Sequence, residues 1–473
     1  MAETATVTAI AGTATALAGA VCAFDPETLS DAVIGQAKLL VLDSLGCAIA
    51  AHGVETVEQV RRMAAALGGA PQATLIGGNS KSSVLNAILV NGAMVRVLDL
   101  NDYTIIEGPD GEPVMGGHPS DNIPVALAMG EWRASTGREV IAAVVLGYEL
   151  FARLRDVTAR RGAFDGASVS GIAVPAMVGY LMGLGPGPMA HAIALGAARC
   201  MVPPLMRRGQ ISSAKSLANA LVAQSGAMAA LLAAQGVTGP LQVLDHGLGV
   251  RRMFMDDADL SILAAPFDGA HAILANHVKA YPCIATGQAA VAAALHLHDK
   301  VKGRMGSIAR IDIIMADYPY VRGQQTDPGR SSPRSHAAAD HCFPFTVAVA
   351  MTDGEMTPRQ YENQRWLDPE ICALMARTTM GNDAALNQKA PHAFPCRVEV
   401  TMEDGAHHAA EVPFPPGFSK GRLSRAEIID KFEAFTAPMI GDARSEAIKA
   451  LAFRLDELAN VDELMGALSD GFA

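Results

Sequence analysis

Apolar positions spaced three and four residues apart dominate the first half of the chain. Residues 55–67 show this spacing and end at Gly68-Gly69, as an amphipathic helix does. In residues 26–51 the leucines are dense, and Gly46 leaves room for a closely packed neighbour. The pattern predicts helices over residues 26–51, 55–67, 82–98, 123–136, 138–158, 168–183, 189–198 and 213–236.

The pattern changes after about residue 265, where strand-like alternation appears. Residues 308–315 alternate, and residues 397–402 and 407–412 flank the turn signal Glu403-Asp-Gly405, which predicts a hairpin. Further helices are predicted over 288–297, 343–351, 369–378, 424–435, 445–455 and 462–468. We therefore predict a mainly α fold with an α+β second domain: a helical part over residues 1–265, an α+β domain over 266–412, and helices over 413–473 that return to the first part.

Composition and charge narrow the class of protein. Of the 473 residues 50% are hydrophobic and 18% are charged, the net charge is −11, and no basic block stands out. A nucleic-acid partner is therefore not expected, although a few clustered cations could still bind an anionic substrate. The seven cysteines are scattered without a CxxC pair, which argues against zinc-ribbon and iron–sulfur sites and favours reduced thiols in a cytoplasmic protein.

No segment predicts a membrane span or a targeting signal. Residues 1–20 lack a positive n-region and contain Glu3, so we interpret them as a short tail leading into a helix. Residues 140–150 and 217–234 are apolar but short or interrupted by polar side chains, which favours buried helices. The glycine-rich run 184–188 contains two prolines and follows no strand, so an interhelical turn is preferred over a phosphate loop.

The densest group of candidate chemistry begins where the helix predicted over 82–98 ends. Asp99 and Asp102 stand three residues apart, Tyr103 follows, and residues 104–117 hold four glycines and two prolines, which predicts a loop. Two carboxylates near a histidine suit acid–base chemistry.

That histidine is His118, held between Gly117 and Pro119. Ser120 or Asp121 is predicted to cap a helix that starts near Ile123. A polar helix–loop–helix corner without catalytic function is the alternative, and the local pattern alone favours it.

Three further residues are candidates from the pattern around them. Lys215 opens a very apolar helix, where a lysine beside a cleft could attract a carboxylate. Lys279 precedes the bend at Tyr281-Pro282, and Tyr320 follows the strand predicted over 308–315. A solvated lysine, an interdomain linker and simple packing of the tyrosine are the respective alternatives.

His336 and Asp340 have the i, i+4 spacing that a metal pair needs on one helix face. No third ligand has diagnostic spacing, so the polar start of a helix is the preferred interpretation, and no metal site is predicted.

Taken in order, several segments resemble the MmgE/PrpD family between about residue 25 and about residue 455. They are Leu39-Leu-Val-Leu-Asp-Ser-Leu-Gly-Cys47, Leu98-Asp-Leu-Asn-Asp102, Gly117-His-Pro-Ser-Asp-Asn122, Ser213-Ala-Lys-Ser216, Lys279-Ala-Tyr-Pro-Cys283 and Ala339-Asp-His-Cys342. The family includes 2-methylcitrate dehydratases, cis-aconitate decarboxylases and an iminodisuccinate epimerase, and the His-Pro-Ser-Asp-Asn form is most like the first of these.

The resemblance implies a large all-helical domain with a smaller α+β lid, a homodimer, and a small di- or tricarboxylate substrate, without metal or organic cofactor. It implies that His118 is the acid–base residue, with an acidic pair beside it, lysines facing the substrate, and a tyrosine at the end of the lid strand. The predicted catalytic residues are His118, Tyr320, Lys215 and Asp99, and the predicted substrate-binding residues are Asp102, Tyr103, Lys279 and Ser120.

Departures from the family pattern reduce the number of activities that the resemblance implies. The segment Phe164-Asp-Gly166 lacks the second histidine of many members, and Ile284 stands where decarboxylases carry a histidine. These departures argue against cis-aconitate decarboxylation. We expect a lyase like the 2-methylcitrate dehydratases that abstracts a proton beside a carboxylate. A dicarboxylate epimerase and a non-catalytic carboxylate-binding relative are the alternatives.

Overall fold

The computed structural model describes residues 12–108, 111–158, 164–268, 272–390, 392–417, 423–469 and 471–472. The predicted N-terminal tail therefore lies outside the described residues as far as residue 11. Helices and strands of the described residues are numbered in chain order below.

Nine helices of the described residues precede residue 265, and they give this part of the fold its helical character. They are α1 (Thr13–Cys22), α2 (Asp31–Ala50), α3 (Glu55–Leu67), α4 (Val84–Arg96), α5 (Ile123–Arg133), α6 (Gly137–Val157), α7 (Ser170–Leu181), α8 (Pro186–Ala197) and α9 (Ala214–Ala234). Their starts follow the sequence: the Ser83 hydroxyl accepts from the Asn86 amide at α4, and Thr136 and Glu139 form a capping box at α6. Of the run 184–188, residues 184–185 lie in the predicted turn between α7 and α8, and Pro186 already begins α8.

The second part of the chain folds helices against a mixed sheet. The helices are α10 (Gln288–Val301), α11 (Pro319–Gln325), α12 (His336–Ala339), α13 (Phe343–Asp353), α14 (Pro369–Ala376) and α15 (Ala384–Lys389). The strands are β6 (Ile308–Ala316), β7 (Thr378–Asp383), β8 (Cys396–Met402) and β9 (His407–Val412), in the order β7-β6-β8-β9. The predicted strand and hairpin are confirmed as β6 and as the antiparallel pair β8–β9, whereas β7, which pairs parallel with β6, was not predicted.

Two small sheets interrupt the helical part. Strands β1 (Ala73–Thr74) and β2 (Lys81–Ser82) form one of them. Strands β3 (Asp102–Glu107), β4 (Pro113–Gly117) and β5 (His277–Val278) form the other, in the order β4-β3-β5. The prediction of a loop over 104–117 is therefore wrong, because most of that segment pairs as an antiparallel hairpin. Residues 109–110 of the segment lie outside the described residues.

The last helices pack back onto the first part of the chain. They are α16 (Arg425–Ile440), α17 (Asp442–Phe453) and α18 (Asp462–Ala467), and their buried side chains join the same hydrophobic core as α1–α9. Gly46 of α2 permits the contact with α16, since a Cβ there would lie 3.1 Å from the Phe432 ring. Lys431 adds an ion pair to the buried Asp43, at 2.6 Å. Residues 283–412 form a separate core around the mixed sheet, so the fold is mainly α with an α+β second domain, as predicted.

Two helices of the described residues, α2 and α9, are long and apolar enough to cross a membrane by length and composition alone. Their apolar windows are 72% and 56% buried within the fold, as core helices are.

Candidate active site

Asp99 is the centre of a buried cluster of charges between the two cores. It lies just beyond α4 with φ +49, a left-handed conformation that aspartate tolerates better than most residues. Lys279 Nζ lies 2.6 Å from Asp99 Oδ1 and 2.8 Å from the Asp99 carbonyl oxygen. The turn after α4 therefore presents both its carboxylate and its carbonyl to one lysine, which follows β5.

Two more cations share the Asp99 carboxylate. Arg96 Nη1 donates to Oδ1 at 2.5 Å, and Lys215 Nζ donates to Oδ2 at 3.4 Å. Burial opposes ionisation of Asp99, but Arg96, Lys215 and Lys279 together hold its pKa well below the usual range. Asp99 is thus a fixed negative charge surrounded by positive ones.

Lys215, at the start of α9, joins the two parts of the chain. Its ammonium lies 2.9 Å from Asp340 Oδ2, 3.2 Å from His341 Nδ1 and 3.4 Å from Asp99 Oδ2. Asp99, Asp340 and His341 have the donor types of a metal site. They do not fit a metal, however, because the Lys215 ammonium already occupies the position among them. The His336–Asp340 pair does not form a ligand set either, since the His336 ring packs on Tyr361 at 4.6 Å.

His118 is held as a neutral imidazole. Its Nδ1 lies 2.5 Å from the carbonyl oxygen of Asp102, which can only accept, so Nδ1 carries the proton and Nε2 keeps a lone pair. Burial, together with the charges of Arg96 and Lys279, lowers the pKa of His118 well below its ordinary value. Nε2 lies 4.0 Å from Asp99 Oδ1. A neutral, oriented imidazole of this kind is suited to accept a proton.

The residues around His118 hold Asp102, whose carbonyl oxygen binds the imidazole. Ser120 donates its amide at 3.2 Å, and also its hydroxyl, to Asp102 Oδ1, and Tyr148 donates to Oδ2 at 2.7 Å. Burial raises the pKa of Asp102 to about 7. The predicted cap by Ser120 or Asp121 is wrong, because α5 begins after a 3₁₀ turn, Pro119–Asn122, and no side chain caps it. Asn101 binds both side chains instead.

A cavity of about 560 Å³ opens between the two parts of the chain. Four of the predicted site residues line it: Asp99, His118, Lys279 and Tyr320. The other four, Lys215, Asp102, Tyr103 and Ser120, are buried behind its wall. Their geometry therefore supports positioning of the first group and gives no support to direct contact with a substrate.

Tyr320 lies on α11, in the second part of the chain, and lines the cavity. Burial raises the pKa of its hydroxyl, and the nearby charges of Arg330, Arg207 and Arg155 oppose that rise. The phenol is therefore protonated at neutral pH and lies among cations, where it can donate a proton.

Several residues of the cavity wall were not predicted from the sequence. His341 is a second neutral histidine, because burial and Lys215 lower its pKa to about 3. Its Nδ1 donates to Asp340 Oδ1, which leaves Nε2 for a ligand. Arg207 pairs with Asp165 at 2.6 Å, and Arg155 Nε donates to the Gly116 carbonyl at 2.5 Å. The only sequence signals were the Asp340-His341 pair and the adjacent Arg207-Arg208.

Comparisons with known proteins agree with this architecture. The MmgE/PrpD N-terminal domain matches residues 15–263, and the MmgE/PrpD C-terminal domain matches residues 281–457. The chain is 23% identical to a cis-aconitate decarboxylase of Mus musculus, over 94% of this chain and 91% of that protein. It is 25% identical to a 2-methylcitrate dehydratase of Cupriavidus necator, over 91% of both. The two domain matches cover most of the sequence, and the chain therefore belongs to the MmgE/PrpD family, as an enzyme of its lyase type.

Proposed function

We propose that the chain is a cofactor-independent lyase of small tricarboxylates, with dehydration of a 2-methylcitrate-like substrate as its first candidate reaction. The observation that carries the proposal is the neutral His118, whose Nε2 is left unprotonated at a cavity lined with cations. The relative named 2-methylcitrate dehydratase supports the same reaction. Ile284, which lines the cavity without a titratable group, adds no support for a decarboxylase.

In the proposed reaction His118 Nε2 takes the proton from the carbon next to a substrate carboxylate. Lys279 and Arg96 stabilise the negative charge that develops on that carboxylate. The carbon–oxygen bond to the hydroxyl group then breaks, and Tyr320 supplies a proton so that water leaves. Transfer of the proton from His118 back to Tyr320 through solvent restores the enzyme, so the net change is loss of one water molecule.

A second candidate reaction is epimerisation of a dicarboxylate. The observation that favours it is His341, a second neutral imidazole on the same cavity wall. One neutral imidazole can remove the proton from one face of a carbon, and the other, after it takes up a proton from solvent, can deliver that proton to the opposite face. Both reactions begin with the same abstraction, so the fate of the substrate hydroxyl distinguishes them.

Proton exchange tests these alternatives directly. The protein is incubated in deuterated water with 2-methylcitrate, citrate, cis-aconitate or iminodisuccinate, and each is followed by NMR. Loss of water from 2-methylcitrate or citrate supports the dehydratase, and deuterium uptake with inversion supports the epimerase. Loss of carbon dioxide from cis-aconitate, or binding without any exchange, contradicts the proposal.

We also propose that the chain acts as a homodimer. Leu221, Met228 and Leu232 lie on one side of α9 and are 45%, 36% and 38% exposed. Residues seven and eleven positions apart share one helix face, so these side chains form a single apolar stripe. A second copy that covers this stripe would remove it from water.

A further inference from the structure

The cavity wall carries more positive than negative side chains. Arg96, Arg155, Arg207, Arg208, Lys279 and Arg330 face Asp99, Glu112, Asp121 and Asp165. Several of these cations already have a protein partner: Lys279 and Arg96 share Asp99, and Arg207 binds Asp165. In a chain with a net charge of −11, this local surplus of cations marks an anion site.

Arg330 is a buried cation with few hydrogen-bond partners among the described residues. The residue is 5% exposed, and its Nε and Nη1 find no hydrogen-bond partner among the described residues. Within the described part of the chain, its Nη2 donates only to the carbonyl oxygen of Arg207, at 3.4 Å. A buried guanidinium with unpaired N–H groups is costly, and a bound anion offsets that cost.

The nearest carboxylate is already engaged elsewhere. Asp327 Oδ2 lies 4.0 Å from Arg330 Nε, beyond hydrogen-bond distance. Both Asp327 oxygens accept from the Gly209 amide, at 3.0 and 3.1 Å, and Oδ1 also accepts from the Gly329 amide at 3.0 Å. Asp327 therefore fixes the backbone around Arg330 and forms only a long ion pair with its guanidinium, which leaves Nε and Nη1 without a hydrogen bond among the described residues.

The backbone around Arg330 is rigidly placed against the first part of the chain. A Cβ at Gly329 would lie 1.8 Å from the Gly209 carbonyl oxygen, so the two segments touch directly. This contact brings Arg330 to the wall that holds the exposed Arg208, for which the described residues show no ion pair, and Tyr320. Two cations from different segments thus line the same cavity.

We infer that Arg330, with Arg208, binds a second carboxylate of the substrate, distinct from the carboxylate beside Lys279 and His118. A guanidinium presents N–H groups in a planar fork that matches a carboxylate. The inference rests on the proposed function and deepens it, since it makes Arg330 the residue that selects substrates with an additional carboxylate.

Calorimetric titration with two probes tests this site. Citrate has three carboxylates, and citramalate is the same skeleton with one carboxymethyl group replaced by methyl. Arg330→Met should weaken citrate binding about 10- to 100-fold, the loss of one or two charge-assisted hydrogen bonds. It should weaken citramalate binding less than about threefold, because citramalate lacks the carboxylate that Arg330 would bind. Removing the guanidinium and removing that carboxylate break the same contact, so their effects do not add. The citrate affinity of Arg330→Lys should lie between the affinities of Arg330→Met and the unchanged protein.

Arg322→Met is the matched control, since Arg322 lies on α11 and pairs with Asp317 near the surface. It should leave both affinities unchanged. Equal losses for citrate and citramalate, or no loss for citrate, would overturn the inference, and so would failure of the unchanged protein to bind citrate.

Thermal unfolding separates binding from a structural role. Without ligand, Arg330→Met should melt no lower than the unchanged protein, because it removes a buried guanidinium whose Nε and Nη1 make no hydrogen bond among the described residues. A clearly lower melting temperature would make Arg330 structural and overturn the inference. A protein that binds citrate through Arg330 but exchanges no proton would refute the proposed lyase alone.

Discussion

Lys279 holds Asp99 at two points, with its ammonium 2.6 Å from the carboxylate and 2.8 Å from the carbonyl of the same residue. Asp99 adopts a left-handed backbone conformation, which is strained for a residue other than glycine, and this double contact holds the turn in place. The same turn leads directly into β3, whose first carbonyl orients His118. This ion pair thus sets the position of the proposed base.

Asp99→Asn should destabilise the protein strongly. The change keeps the shape of the side chain but leaves Arg96, Lys215 and Lys279 short of their shared counter-charge, and losing one member of a buried ion pair costs about 3–5 kcal/mol. Urea unfolding measures the loss. Asp404→Asn, which breaks an exposed pair with Arg304, is the control and should leave the urea midpoint unchanged.

His118→Gln should remove turnover while the fold persists, because the histidine is neutral and carries no structural charge. A lost general base lowers kcat/KM by about 10²–10⁴-fold. His298→Gln is a matched control, since its Nδ1 also donates to a backbone carbonyl, that of Met351, outside the cavity. Steady-state kinetics on any substrate that exchanges protons gives the measurement, and a fully active His118→Gln protein would refute the assignment.

Tyr320→Phe should separate the two proposed proton transfers. Without the phenol the hydroxyl group cannot leave as water, so dehydration should fall by about 10²-fold or more. Deuterium exchange at the carbon that His118 deprotonates should continue, and NMR follows both on one sample. Tyr318→Phe, two residues away and half-buried, is the control. Equal loss of exchange and dehydration would contradict separate roles.

Acid should destabilise the protein partly through His341. Folding lowers its pKa to about 3, whereas an unfolded histidine titrates near about 6.5. Between these two values the unfolded chain binds the additional proton, so the contribution of His341 is complete above the upper value and is lost as the pH falls toward the lower one.

His341→Gln should therefore lose less stability on acidification than the unchanged protein does. Urea midpoints at about pH 7.5 and about pH 4.5 give the comparison. His407→Gln, at a half-exposed site in β9, should keep the full acid sensitivity. Identical acid sensitivity of the His341→Gln protein would show that the ring titrates normally.

The proposed dimer makes a prediction about α9. Met228→Glu places a charge within the apolar stripe and should yield monomers in light scattering coupled to gel filtration. Leu248→Glu changes a side chain that is 93% exposed in a turn and should leave the mass unchanged. A monomeric unchanged protein would refute the dimer.

The order of the helices follows from local pattern, which is why it could be predicted. The helical spacing and the flanking glycines predicted from the sequence are found in the fold. Gly117, which precedes His118, has φ +129, and a Cβ there would lie 2.7 Å from the Phe151 ring, so this position requires glycine. The hairpin β3–β4 was missed because its glycines and prolines resemble those of a loop. Strand β7 was missed because its sequence lacks alternation and it pairs at a sheet edge.

The cavity wall could not be predicted for a different reason. Arg207, Arg330 and His341 lie far from Asp99 in the sequence, and only tertiary packing brings them to the cavity that Asp99 also lines. The spacing of these residues in the sequence does not predict that they come together. The arginines are also dispersed along the chain, so their surplus is visible only once the cavity has formed.

The ammonium of Lys215, shared between Asp99 and Asp340, also limits which hybrid proteins can fold. Neither half of the chain can be exchanged with that of a distant relative unless the incoming half brings a matching charge, because a mismatch strands an ion in the interior. Recombination between relatives should succeed only where both sides of this contact are preserved.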